Sequence, residues 1–190
     1  MEATQSAPAK LDGKQLEAAI VAVNGIYRAN GYASIGRYGV QAVGRPHDWT
    51  IMQSLPDFEG DIMPGVSHGV GGHVIFDAKS CSQSSFGLSK YRDETKGSKR
   101  RQLNHMLDRS QYGATCFFLI HWNERMLKTK SDPPSTWKFP VAANWFWNDF
   151  LDGGVRSITR DACEEYGTQV EWRTQPGGRT LRPDYLGMLT

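Results

Sequence analysis

An α/β fold, a buried sheet flanked by helices, is predicted by three stretches of this sequence. Leu16, Ala19, Ile20, Val23, Ile26 and Tyr27 recur at spacings of three and four, which draws one apolar stripe along a helix of about four turns. His73-Val-Ile-Phe-Asp-Ala-Lys79 is a β-rich segment. Side chains two apart in a strand share a face, so Val74, Phe76 and Ala78 turn into packing while Ile75, Asp77 and Lys79 turn the other way. Gly113-Ala-Thr-Cys-Phe-Phe-Leu-Ile-His-Trp122 is nearly unbroken apolar sequence, as expected of a central strand buried on both faces.

A chain of 190 residues is long enough to bury a core without disulfides or a structural metal, and one domain over 11–190 is expected. Residues 1–10 are polar and read as a flexible tail. Three cysteines, Cys81, Cys116 and Cys163, are odd in number and far apart, which excludes a disulfide framework or zinc ribbon and suits a reducing compartment. The tail holds no apolar run of signal-peptide type, and no stretch is apolar for long enough to span a bilayer, so a soluble intracellular protein is expected. A net charge of +2 says nothing about a polyanionic partner by itself; the clustering of charge has to decide that.

In order along the chain, Asp12 is the candidate N-cap of the first helix and Gly31 its stop. Glu17, Asn24 and Arg28 form a polar stripe beside the apolar face, and Glu17 is either a solvated helix glutamate or a carboxylate at the edge of a site. Residues 33–51 contain many breakers and read as strand fragments, with Arg37, Arg45 and His47 as solvated charges or phosphate contacts. Trp49 to Phe58 reads as a strand leading to a turn, and Gly60 to Gly72 as a glycine-rich connection into the strand at His73. Its Gly69-x-Gly71-Gly72 precedes a strand, where a dinucleotide fingerprint needs a helix.

Residues 81–85 read as a polar loop with Phe86 and Leu88 packed beneath it. Lys90 to Arg109 carries seven basic and three acidic residues, and Lys99-Arg100-Arg101 runs into Leu103, Met106 and Leu107 at helical spacing. This helix presents Lys96, Lys99, Arg100, Arg101 and Gln102 either to solvent or to phosphates. After the central strand, Trp137 to Val141 reads as a strand and Ala142 to Leu151 as an aromatic-rich helix stopped at Gly153-Gly154. Thr159 caps a last helix, Arg160 to Tyr166, and Gln169 to Arg173 and Pro183 to Leu186 read as extended.

The chemistry lies between Pro56 and Lys79. Asp57 and Asp77, brought together on adjacent strands, would hold a hard divalent cation, with the Ala78 carbonyl as a third oxygen ligand. Lys79, on the face of Asp77, would position or deprotonate the attacking water and stabilise charge on a phosphate. Glu59 and Asp61 are rivals to Asp57. No zinc-ligand spacing joins His47, His68, His73, His105 and His121, and there is no P-loop or Gly-x-Ser-x-Gly, so zinc, nucleotide-loop and serine-nucleophile chemistry are set aside.

Read together, Gly13-Lys-Gln-Leu-Glu17-Ala-Ala-Ile with Asn24 and Tyr27, Asp57-Phe-Glu-Gly60, Ile75-Phe-Asp77-Ala-Lys79, Ser85-Phe-Gly-Leu88, Gln102-Leu-Asn-His105-Met and Gln111-Tyr-Gly113 follow one order and spacing. The chain in these segments resembles the RecU family of Holliday junction resolvases in the PD-(D/E)XK nuclease superfamily. Phe146-Trp147, Gly153-Gly154-Val-Arg-Ser157-Ile-Thr159 and Pro183-Asp-Tyr-Leu extend the likeness. The resemblance implies a restriction-endonuclease-like core with a central mixed sheet. It also implies a cytoplasmic homodimer, in a bacterium or a phage-infected host, that nicks four-way DNA junctions in pairs with magnesium, or manganese in its place, during recombination and repair. It makes Asp57 and Asp77 metal ligands, Lys79 the catalytic lysine, Glu17 the acidic residue of the first helix, Gln102 the supporting glutamine and Ser85 a polar residue near the DNA. Asp77 stands where that family has glutamate, and residues 34–54 are shorter than its stalk. Other endonucleases on the same core, acting in repair, restriction or flap cleavage, and a junction-binding protein without activity, are the competing readings.

Overall fold

The computed structural model of the chain describes residues 6–38, 42–43, 50–51, 55–64, 72–92, 98–126, 131–142, 144–174 and 180–189. The first helix, α1 (Gly13–Ala29), begins where expected. The Asp12 carboxylate accepts from the Gln15 backbone N–H while the Gln15 side chain accepts from the Asp12 N–H, a reciprocal capping box. It ends at Asn30, and Gly31 takes the left-handed turn at φ +70°. Part of the segment read as a tail is tied down: Ala7 and Leu11 pack on the core, the Ala9 carbonyl accepts from the Glu124 N–H at 2.6 Å, and the Leu11 N–H donates to Asn123 Oδ1 at 2.6 Å.

Next come β1 (Ala33–Arg37), the short pair β2 (Ala42–Val43) and β3 (Thr50–Ile51), β4 (Phe58–Ile62), β5 (Gly72–Cys81) and β6 (Ser85–Gly87). The single basic helix read from the sequence is two pieces, α2 (Ser89–Arg92) and α3 (Ser98–Gln111). Then follow β7 (Thr115–Trp122), the short pair β8 (Arg125–Met126) and β9 (Ser131–Asp132), β10 (Ser135–Pro140), α4 (Trp145–Asp152), β11 (Ser157–Thr159) and α5 (Arg160–Tyr166). The chain continues through β12 (Thr168–Gln169), β13 (Trp172–Thr174) and β14 (Leu181–Pro183).

Six strands form one mixed sheet in the order β1-β4-β5-β7-β10-β12, in which β5 and β7 are parallel and every other neighbouring pair is antiparallel. A parallel pair needs a crossover connection, and α2 and α3 lie in the segment that supplies it. The expected alternation on β5 holds. Val74, Phe76 and Ala78 pack with Leu16, Ile20, Val23 and Tyr27 of α1 on one face. Ile75 packs with Leu103 and Met106 of α3, Phe146, Trp147 and Phe150 of α4 and Cys163 of α5 on the other. β7 is buried from Cys116 to Trp122, as a strand covered on both faces must be. Helices on both faces of a central mixed sheet make this an α/β fold, as the sequence predicts.

Gly60 lies within β4 rather than in a connection. A Cβ there would come within 2.6 Å of Ile35 Cα and closer still to the Ser34 carbonyl oxygen, so the approach of β1 demands glycine. The Gln169 to Arg173 stretch is divided between two sheets, β12 pairing with β10 and β13 with β14. After β14 the chain turns instead of staying extended, because the Asp184 carboxylate accepts from the Met188 and Leu189 N–H groups at 2.9 and 3.0 Å and from Tyr27 Oη at 2.8 Å. Asn24, expected on a polar stripe, is buried and accepts from the Tyr185 hydroxyl. Among the described residues no helix is long and apolar enough to cross a membrane.

Candidate metal centre

Asp57 does not close an extended segment; it stands one residue before β4. Pro56 has no N–H for a ladder, so pairing of β4 with β5 starts only at Phe58. The antiparallel register Phe58↔Phe76 then sets Asp57 opposite Asp77. The Ala78 N–H donates to Asp57 Oδ2 at 3.0 Å and fixes that carboxylate over the middle of β5.

Asp77 has no exposed surface. Its Oδ2 faces the Lys79 ammonium at 2.7 Å, accepts from Tyr91 Oη at 2.9 Å and lies 3.7 Å from the Lys99 ammonium. Lys79 Nζ also donates to the Ala78 carbonyl at 3.1 Å and to Asp57 Oδ2 at 3.4 Å. Lys99, placed by the first turn of α3, donates to Gln102 Oε1 at 2.8 Å, while Gln102 Nε2 donates to the Leu55 carbonyl at 2.7 Å. Gln102 therefore ties α3 to the segment that carries Asp57.

Two carboxyls this close cannot both ionise freely. Burial, the Asp77 hydrogen bond and the Asp77 charge push Asp57 up to about 7. Burial would raise Asp77 too, yet the Lys79 and Lys99 ammonium groups hold it below its ordinary range. Burial acts against the charge of Lys79 as well, and the two carboxylates more than offset it, so its pKa is raised. Lys99 has a weaker anionic neighbourhood, and burial lowers it.

The donor set fits a hard divalent cation. Asp77 Oδ1 is buried and has no hydrogen-bond partner, although a buried acceptor is normally satisfied. Asp57, Asp77 and the Ala78 carbonyl are all oxygen donors, the chemistry preferred by magnesium and manganese. Among the described residues no three His, Cys, Asp or Glu side chains converge on one point. The protein would thus fill only part of a coordination shell, as is usual for magnesium, which keeps several waters.

The rival carboxylates have other work. His73 Nε2 is 2.5 Å from Glu59 Oε1 and His73 Nδ1 is 2.8 Å from Asp61 Oδ1, so one imidazole bridges both across the β4–β5 pair. Burial lowers the His73 pKa, but Asp61 and Glu59 together raise it above its ordinary 6.5. A raised folded value stabilises the protein fully below pH 6.5, and that contribution is lost as pH rises through the folded value. Thermal melts of the wild type are expected to show this loss above pH 6.5, and His73→Gln is expected to remove it. An identical pH profile in the variant would exclude the bridge.

Glu17 is not joined to Asp57 or Asp77; its carboxylate pairs with Arg37 Nη2 at 2.5 Å. Arg37 is the register partner of Phe58, so the pair stands at the Asp57 end of β4. Arg37, expected at the DNA, is thereby bound to Glu17. Ser85 is on β6, opposite Thr159, and lines an open cleft of about 990 Å³ together with Ser84, Ser157 and Arg160. Arg100 is half-buried and Arg101 exposed in the first turns of α3. Lys96, Arg45, His47 and His68 lie outside the described residues. Sequence reading missed Tyr91, because a helix of four residues has no periodicity to reveal it.

No family model matches the chain. Over 111 residues it is 32% identical to the Holliday junction resolvase RecU of Pediococcus pentosaceus, a match that covers 56% of this chain and 46% of that protein. The chain thus spans about half the length of the curated relative it matches. Among solved structures, Hjc of Archaeoglobus fulgidus, a Holliday junction resolvase, overlaps 83% of this chain and 95% of its own at 14% identity and a TM-score of 0.44. Over the matched stretch the chain is therefore similar in sequence to RecU.

Proposed function

We propose that this chain is a Holliday junction resolvase, a metal-dependent endodeoxyribonuclease that nicks four-way DNA junctions in symmetric pairs in the cytoplasm. The observation that carries the reading is the convergence of Asp57, Asp77 and Lys79, with Asp77 Oδ1 buried and unpartnered. A magnesium or manganese ion held by Asp57, Asp77 and the Ala78 carbonyl would supply Lewis-acid charge to the scissile phosphate and make bound water a better nucleophile. The Lys79 ammonium orients the attacking water and stabilises negative charge on the phosphate. Gln102 holds the Leu55 segment, and with it Asp57, in register with β5. A four-way junction offers two symmetry-related scissile phosphates, and a homodimer presents two such centres to match.

Arg100 and Arg101 extend the cationic edge of α3 beyond Lys99. Replacing both with alanine is expected to weaken junction binding and to reduce the slope of log affinity against log salt by about 1.8, two phosphate contacts' worth. An unchanged slope in filter-binding or anisotropy titrations would return these arginines to the solvated surface.

The reading is tested with an end-labelled four-way junction beside linear duplex, flap and single-stranded DNA, in magnesium, manganese or EDTA. Paired nicks confined to the junction and dependent on the cation are expected. Equal cutting of the linear and flap substrates would make the chain an endonuclease of another specificity, and binding without any cutting would make it a junction-binding protein.

A further inference from the structure

The three groups of the candidate ligand set are the same three that one side chain already touches. The Lys79 ammonium lies 2.7 Å from Asp77 Oδ2, 3.1 Å from the Ala78 carbonyl oxygen and 3.4 Å from Asp57 Oδ2. Among the described residues no acceptor outside this set is bonded to it. Lys99, the other lysine of the centre, behaves differently: it stands 3.7 Å from Asp77 and is bonded to Gln102, away from Asp57 and Ala78. An ammonium and a divalent cation cannot sit on the same oxygens, because their charges repel strongly at that distance in a water-poor site.

We propose that the Lys79 ammonium is a built-in counter-ion seated on the metal ligands, and that an arriving divalent cation displaces it towards the phosphate. The inference rests on reading Asp57, Asp77 and Ala78 as the ligands. It gives one lysine two positions, and cation loading itself delivers the lysine to the substrate side. Two details support an exchange. Tyr91 Oη keeps Asp77 Oδ2 hydrogen-bonded after the lysine departs, and the buried, unpartnered Oδ1 gives the cation a bond that the ammonium does not make. Lys79 is mostly buried, with 18% of its side chain exposed, so its departure should be visible as reactivity.

The wild-type protein is treated with formaldehyde and a borane reductant in EDTA and in magnesium, and methylation of each lysine is read by mass spectrometry. Lys79 is expected to be protected in EDTA and several-fold more reactive in magnesium, with exposed Lys14 on α1 as the constant reference. Calorimetric titration with magnesium supplies a second measurement. Lys79→Met is expected to bind the cation about tenfold more tightly, and Lys99→Met to give a clearly smaller gain, since it removes the same charge from beside the seat rather than on it. Equal Lys79 labelling with and without magnesium, in a wild type that calorimetry shows to bind it, overturns the exchange and leaves the metal centre standing. Equal tightening by the two variants also overturns it. A wild type that binds neither magnesium nor manganese removes the ligand assignment and the exchange together. Should Lys79→Met fail to fold, the labelling of the wild type decides alone.

Discussion

Asp77→Asn is expected to lower junction cleavage by about 10^3-fold, the scale on which a single electrostatic contributor to a transition state is lost, while four-way junction binding in EDTA stays close to wild type. Asparagine keeps the shape of the side chain and its bond from Tyr91 but removes the anion that a cation needs. Lys79 then keeps the Ala78 carbonyl and Asp57 as partners but loses its nearest anion, and Asp57 loses the like charge that helps to raise its pKa. A thermal readout accompanies the kinetic one. In the wild type, Asp57 has a folded pKa near 7 against 3.8 for a free carboxyl, so ionising it in place costs stability as pH climbs through that window. Magnesium should offset the cost and raise the melting temperature near neutral pH by mass action. In Asp77→Asn that magnesium-dependent rise should vanish. Wild-type cleavage rates in the variant would sink the assignment of Asp77.

The second large effect falls on folding. Gly60→Val is expected to prevent accumulation of folded protein, since the new side chain would be driven into the backbone of Ser34 and Ile35 on the adjoining strand. Backbone cannot step aside as a flexible side chain can, and the strain would exceed the about 1–3 kcal/mol usual for overpacked cores. Gly60→Ala should show the same defect more mildly, as a lowered melting temperature. Because Asp57 stands one residue before β4, a surviving fraction of Gly60→Ala should bind magnesium more weakly. A variant with wild-type circular dichroism and melting would show that β1 can retreat.

How much of this was legible beforehand depended on whether the signal was local. The alternation of β5 put Asp77 and Lys79 on one face, and the cap at Asp12 and the stop at Gly31 bounded α1 correctly, because period and capping act over a few residues. No pattern contained the pairing of His73 with both Glu59 and Asp61, the two rivals to Asp57. Long-range pairings were illegible. Asn24 reads as part of a polar stripe in the sequence, but Tyr185 packs against it, and Lys99 reads as a phosphate-binding cation, but α3 brings it beside Asp77. Gly60 looked like part of a glycine-rich connection because its real constraint is the backbone of another strand. Tyr91 was invisible for want of periodicity, although it supplies a hydroxyl to the most buried carboxylate of the centre.

The bond from Tyr27 to Asp184 joins residues 157 positions apart. Tyr185 beside it stacks its ring edge-on to Tyr27 at 5.5 Å and lies 4.9 Å from Phe76, directly behind the strand that bears Asp77. During translation, α1 and β5 therefore emerge long before the residues that seal their shared face. Until residues 184–189 have left the ribosome, Tyr27 and Phe76 lack their final cover, and the α1 side of the strand bearing Asp77 is incompletely sealed. A nascent chain of this design would carry Asp57, Asp77 and Lys79 yet lack the seal behind them, and a product truncated near residue 183 is expected to be cleared by proteolysis.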